Sequence, residues 1–202
     1  ETWISACNKV GFTQVKVVNE QSAPDPDFPT VPFPNPEEAG ACDLLLKLAA
    51  ESQADIAIAH DPDADRCAAA IIENNEWRLL TGDELGGALA WWEFERAKQF
   101  NLEAPNGTLA TSIVSASLLE KIAKKNNVKY QATLTGFKWI GRIPDLIFGY
   151  EEAIGYAVDS ETVNDKDGIS AAIFLAQVAT DLKRDGLTLS DLLNEVWERH
   201  GF

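Results

Sequence analysis

Short apolar runs alternate with helical patterns along most of this 202-residue chain, and no other feature restricts its fold as much. A strand period and a helix period that repeatedly trade places exclude all-α and all-β folds and indicate α/β architecture with mainly parallel sheets. In the first part, a helical pattern covers residues 3–10 and a β-rich run covers residues 14–18. Pro24, Pro26, Pro29, Pro32, Pro34 and Pro36 then force an extended, irregular connection, because they remove backbone donors and fix φ. Asn35-Pro36-Glu37-Glu38 reads as a helix start, with Asn35 as cap, Pro36 in the first turn and two carboxylates at the positive end of the dipole. Leu44, Leu45, Leu48 and Ala49 supply that helix with a buried stripe. Asp55-Ile56-Ala57-Ile58-Ala59 and the run from Cys67 to Ile72 read as strands flanking an acidic loop, and the polar turn Glu73-Asn74-Asn75-Glu76 predicts a hairpin into Trp77-Arg78-Leu79-Leu80.

From Thr81 a helix is expected to about Phe100. After it come a strand near 108–111, a helix over 115–125, a strand over 128–132, a short helix after Gly136, strands over 146–150 and 155–158, and helices from Asp167 and Leu189. Two α/β/α layered domains with mixed, mainly parallel sheets account for this order, spanning 1–84 and 85–202 with the junction around residues 80–88. The first opens on a helix and lacks the opening strand of such a layer, so it is expected to be truncated at its N-terminus. The absence of any Met points the same way, toward an internal piece of a longer chain.

Charge narrows the function. With 32 acidic against 17 basic side chains the formal charge is −15, which repels nucleic acid and anionic membrane surfaces from the chain as a whole. The run Lys121, Lys124, Lys125 and Lys129 reads as a solvated helix face, without the aromatic interleaving of a single-strand binder. Cys7, Cys42 and Cys67 are odd in number and have no paired spacing, so neither a disulfide framework nor a zinc knuckle is indicated and a cytoplasmic setting is expected. No stretch of 18 apolar residues and no signal-peptide pattern occurs.

Asp61-Pro62-Asp63-Ala64-Asp65-Arg66 places three carboxylates at alternate positions directly after an apolar strand. In an extended chain these groups share one face but stand nearly 7 Å apart, so the loop must curl to aim them at one point. Their mutual repulsion calls for a positive charge among them, and a hard divalent cation such as Mg²⁺ supplies it. A solvated acidic turn is the plain alternative. A calcium EF-hand starting at Asp61 needs Gly and Glu where Arg66 and Ile72 stand, and fails. A haloacid-dehalogenase-type phosphotransferase, with Asp61 as nucleophile and Asp63 as acid/base, remains a competitor, although Asp65 departs from its usual Thr or Val. Arg66 is placed to bind phosphate bidentately or to neutralise the loop. His60 reads as structural, and His200 has no supporting context.

Asp61 to Arg66 resembles the D-G-D-[GA]-D-R metal loop of the α-D-phosphohexomutase superfamily, the phosphoglucomutases and phosphomannomutases. Thr135-Gly136-Phe137-Lys138 looks like its T-G-[FWH]-[KS] loop, Gly149-Tyr150-Glu151-Glu152-Ala153-Ile154-Gly155-Tyr156 like its sugar-recognition loop, and Lys166-Asp167-Gly168 like its K-D-G segment. Asp25-Pro26-Asp27-Phe28-Pro29 and Asn35-Pro36-Glu37-Glu38 are similar to the family too, so the resemblance covers almost the whole chain.

The resemblance implies domains II and III of a four-domain enzyme, with the serine-bearing first and phosphate-binding fourth domains missing, and hence an inactive isolated fragment. It implies interconversion of sugar 1-phosphate and 6-phosphate through a phosphoserine enzyme and a bisphosphate. Mg²⁺ would be held by Asp61, Asp63 and Asp65, and Arg66 would brace the transferred phosphoryl. Glu151 would grip sugar hydroxyls, Gly136 would line the substrate, and Lys138 and Lys166 would serve phosphate or proton transfer. Ala153 stands where many relatives carry a serine hydroxyl, which leaves a phosphorylated hexose and a phosphorylated pentose both open as substrates. A non-catalytic module that binds Mg²⁺ or sugar phosphate is the alternative from outside enzymes.

Overall fold

The computed structural model describes residues 2–201, and the path to the first sheet is longer and less regular than the sequence pattern suggests. Helix α1 (Thr2–Lys9) is followed by turns and one short 3-10 helix through residue 42. Residues 14–18, expected as a strand, join no ladder and are largely exposed. Their β-branched content is not enough, because a strand needs a neighbour to pair its backbone groups. The helix expected from Pro36 begins later, as α2 (Asp43–Glu51). Gly40, at φ +82°, takes a left-handed conformation that interrupts any right-handed helix begun before it. Asn35 does make a local bond, accepting from the Glu37 N–H at 3.2 Å, but in a turn rather than a cap.

Strands β1 (Ala57–His60), β2 (Cys67–Glu73) and β3 (Glu76–Leu79) form a sheet in that order, with both pairs antiparallel. The β2–β3 hairpin is the expected one: Asn74 and Asn75 sit at φ +52° and +65°, as a two-residue type I′ connection requires. Parallel pairing of β1 with β2 is precluded by the connection between them, residues 61–66, because a parallel crossover takes about a dozen residues or more.

The second sheet follows the expectation more closely. After α3 (Gly82–Gln99) come β4 (Thr108–Ser112), α4 (Leu118–Asn126), β5 (Lys129–Thr133), α5 (Phe137–Ile140), β6 (Leu146–Glu151) and β7 (Gly155–Ala157), then α6 (Gly168–Arg184) and α7 (Leu189–His200). The strand order is β5-β4-β6-β7, with β4 parallel to both β5 and β6 and only β7 antiparallel. The protein is therefore α/β, with a mixed, mainly parallel second sheet. Ser112, Thr133 and Glu151 all end parallel strands, the edge at which open α/β sheets place ligands.

Cys67, Ala68, Ala69 and Ile71 of β2 share one buried cluster with Leu85, Leu89 and Trp91 of α3, Leu175 of α6 and Val196 of α7. Helix α3 is buried on most of its circumference, which explains its lack of a polar face. The sheets also meet where the start of the central strand β2 passes the edge strand β7: Arg66 bridges Gly155, and the Cys67 N–H donates to the Ile154 carbonyl at 3.0 Å. That contact sets the acidic loop beside the β6–β7 turn. Cys7, Cys42 and Cys67 are buried free thiols, and burial pushes the Cys67 thiol up to about 12. Among the described residues no helix is long and apolar enough to cross a membrane.

Candidate active site

Strand β1 delivers Asp61, and the chain then curls as the sequence requires. The Ala64 N–H donates to the Asp61 carbonyl at 3.0 Å, and Ala64 itself lies at φ +58°. One oxygen from each of Asp61, Asp63 and Asp65 then falls within 4.8 Å of the others, well inside the spacing of an extended strand. Asp61 is buried, Asp65 half-buried and Asp63 exposed, so the trio opens to solvent on one side. Such a set of hard oxygens suits Mg²⁺.

Two cations hold the loop. Arg66 donates through its backbone N–H to Asp61 Oδ1 at 3.2 Å and through Nε to Oδ2 at 2.6 Å. Its Nη1 reaches Asn35 Oδ1 at 3.3 Å and lies 3.9 Å from Glu37. Lys166 pairs with Asp65 and lies 4.0 Å from Asp165. The helix that follows Lys166 presses directly on the loop: a Cβ at Gly168 would sit 2.3 Å from the Arg66 carbonyl oxygen and 2.7 Å from that of Ala64. The Gly168 N–H meanwhile donates to the Ala64 carbonyl at 3.1 Å. Phe33 and Pro34 wall one side of the resulting cleft, about 530 Å³ in volume.

The charges respond to this arrangement in opposite ways. Burial pushes the Asp61 carboxyl up, but the hydrogen bonds and charge of Arg66 together outweigh it and hold the group below its ordinary value. Asp65 moves up, because burial and the charges of Asp61 and Asp63 exceed what Lys166 offsets. Burial pulls Lys166 down, yet its hydrogen bond to Asp65 and the surrounding carboxylates leave it raised. His60 does not join the site as a proton carrier. Burial lowers its pKa, its Nδ1 lies 2.9 Å from the Arg66 carbonyl, and its ring stands edge-on to Trp3 at 5.7 Å.

The sugar-loop residues gather at the ends of β5 and β6. Glu151 Oε1 accepts from the Gly136 N–H at 2.5 Å, tying the two loops together. Lys138 is exposed, with its ammonium 5.6 Å from the Trp139 ring centroid, and makes no bond to the acidic cluster. Glu151 is joined to that cluster indirectly: it pairs with Gly155, whose opposite edge bridges Arg66. Asp61, Asp63, Asp65, Arg66 and Lys166 therefore converge in one place, Gly136 and Glu151 in a neighbouring one, and Lys138 stands at the rim.

Three partners escape sequence reasoning. Asn35 reads as a helix cap but orients Arg66, across a separation of 31 residues. Ser112 and Ser115, just before α4, donate to Glu152 Oε2 at 2.8 and 2.9 Å. No local pattern marks either role, because each depends on how distant strands meet.

A family model described as phosphoglucomutase/phosphomannomutase, alpha/beta/alpha domain II, matches residues 1–74, and that for domain III matches residues 81–200. The chain is 48% identical over 194 residues to a Haemophilus influenzae protein described as a probable phosphomannomutase, covering 96% of this chain and 39% of that one. It is 42% identical over 211 residues to human phosphopentomutase, covering 98% of this chain and 34% of the relative. Among solved structures, the open form of a Paramecium phosphoglucomutase, parafusin, superposes with a TM-score of 0.63 at 24% identity, covering 84% of this chain and 30% of that one, a likeness of fold alone. The chain thus spans between a third and two fifths of the length of these curated relatives. With domain matches over nearly all its residues and near-half identity to a curated relative, the chain belongs to the phosphoglucomutase/phosphomannomutase family.

Proposed function

We propose that the chain is the metal-binding and sugar-recognition part of a phosphosugar mutase, which interconverts a hexose 1-phosphate and 6-phosphate through a phosphoserine enzyme and a bisphosphate. The observation that carries this reading is the continuity from Asp61, Asp63 and Asp65 through Arg66 and Gly155 to Glu151. Two strand spacings, about 10 Å, separate the Arg66 and Glu151 backbones, so one phosphorylated sugar is able to meet both loops.

Each residue then has a task. Asp61, Asp63 and Asp65 would hold Mg²⁺, which when bound neutralises charge on a phosphoryl oxygen. Arg66 has committed Nε to Asp61 and Nη1 to Asn35, and among the described residues none accepts from Nη2, which leaves that edge for a phosphoryl oxygen. Lys166 brings a second positive charge to the cleft, and the exposed Lys138 is a third cation for an arriving phosphate. Glu151 keeps one oxygen on Gly136 and offers the other to a sugar hydroxyl. The phosphoserine donor would come from polypeptide outside these 202 residues, which contain no T-x-S-H-N-P-type loop. Three buried free thiols suit a reducing, cytoplasmic compartment.

A pentose phosphate is the second reading. Ala153 offers no hydroxyl to the sugar, and the human relative at 42% identity is a phosphopentomutase. Calorimetric titration with glucose 1-phosphate, mannose 1-phosphate and ribose 1-phosphate in the presence of Mg²⁺ separates the two. Glu151→Gln is expected to weaken the preferred sugar phosphate about tenfold or more, the worth of a hydrogen bond to a charged group. Equal binding by wild type and Glu151→Gln would contradict the assignment.

A further inference from the structure

Glu152 has no task in the proposed function, yet it is the most firmly anchored member of its loop. Ser112 and Ser115 both donate to its Oε2, at 2.8 and 2.9 Å, and its own N–H donates to Ser115 Oγ at 3.2 Å. Two hydroxyls converging on one carboxylate oxygen make charge-assisted bonds, stronger than neutral ones. The β6–β7 turn is also held from two other sides. A Cβ at Gly82 would lie 1.9 Å from the Glu152 carbonyl oxygen, so the start of α3 abuts the turn with no room between. On the metal-loop side, the Cys67 N–H donates to the Ile154 carbonyl at 3.0 Å.

The turn needs this support. Ile154 is buried and β-branched, yet sits at φ +55°, a conformation that such a residue keeps only when its surroundings enforce it. Along the chain, neighbouring side chains at the end of a strand point to opposite faces. Glu152 accordingly reaches the β4–α4 loop while Glu151 reaches Gly136 in the β5–α5 loop. A rotation of the turn that released one carboxylate would displace the other.

The geometry points to Glu152 as a positioning residue: clamped by Ser112 and Ser115, it fixes the turn so that Glu151 presents its carboxylate beside Gly136. The inference rests on the reading of Glu151 as the sugar ligand, and it assigns Glu152 no contact with the sugar, because its carboxylate is turned to the β4–α4 loop and not to the Gly136 loop that Glu151 meets.

The Gly136 amide reports on the clamp directly, because its hydrogen bond ends on Glu151. In NMR hydrogen exchange on the 202-residue chain, Glu152→Ala is expected to speed exchange at Gly136 about tenfold, the loss of roughly one hydrogen bond, and to shift its proton resonance. Glu152→Gln should restore both, because an amide oxygen accepts the same two hydroxyls, and Ser112→Ala with Ser115→Ala should reproduce the loss. Mg²⁺ affinity within twofold of wild type in each variant establishes that the metal loop is intact. An unchanged Gly136 in the double serine variant, or a Glu152→Gln that behaves as Glu152→Ala does, overturns the clamp. If Gly136 responds as expected while Glu151→Gln leaves glucose 1-phosphate binding unaltered, the clamp stands and the sugar reading alone fails.

Discussion

Asp61 does two jobs with one carboxylate. Both oxygens accept from Arg66, and one also lies within 4.8 Å of oxygens from Asp63 and Asp65. This sharing works only while the loop keeps its curl, and Gly168 is the residue that permits it. Because the atoms a Cβ would strike there are backbone carbonyl oxygens of Ala64 and Arg66, no side-chain rotation relieves the clash. Gly168→Ala is therefore expected to destabilise the chain by about 1–3 kcal/mol and to weaken Mg²⁺ binding together with it. Urea unfolding and a metal titration of the same variant check both, and a stable variant with wild-type affinity would contradict the packing account. That the three aspartates converge on one point was legible from their spacing and charge. The partners of Arg66 and Glu152 were not, because Asn35, Ser112 and Ser115 are tens of residues away in the sequence.

Among the elements, legibility followed the locality of the signal. The β2–β3 hairpin depends on two asparagines that tolerate positive φ, and the start of α3 depends on a capping box between Thr81 and Glu84, so neighbouring residues suffice to place both. The start of α2 and the fate of residues 14–18 depend on a left-handed Gly40 and on a strand partner, neither of which the local pattern reveals. Helix α7 offers a test of a local signal. Thr188 and Asp191 form a capping box, and Leu189, Leu192, Leu193 and Val196 bury the helix in the core. Hydrogen bonds from the Thr188 side chain and then its backbone hold the Asp191 carboxyl below its ordinary value. A depressed carboxylate stabilises the fold above its unfolded pKa of about 4 and loses that contribution as pH falls through the lower folded value. Thr188→Ala is accordingly expected to cost about 1 kcal/mol at pH 7, with the gap from wild type narrowing in strong acid, as pH falls through the lowered folded value. Urea midpoints at pH 7 and in strong acid measure it; a gap that does not narrow would contradict the role given to Asp191.

At the scale of the whole molecule, α/β alternation and the order of the motifs were readable in the sequence, while the way the halves lock together was not. Helices α6 and α7 share the core of β2, and one bridge from Arg66 to Gly155 turns two separate loops into neighbours. A net charge of −15 repels polyanions, and at the acidic loop Arg66 and Lys166 offset only part of the charge of Asp61, Asp63 and Asp65, so a small phosphorylated ligand would need a bound divalent cation beside them. The central claim is that this loop is a divalent-cation site serving a sugar-recognition loop. Isothermal titration of Mg²⁺ into the wild-type chain and Asp63→Asn tests it most directly, because Asp63 is the exposed member of the trio and among the described residues carries no ion pair that its loss would break. Saturable binding that weakens about tenfold or more in Asp63→Asn is the expected result; equal affinity in the two chains, or no binding to either, would contradict the account.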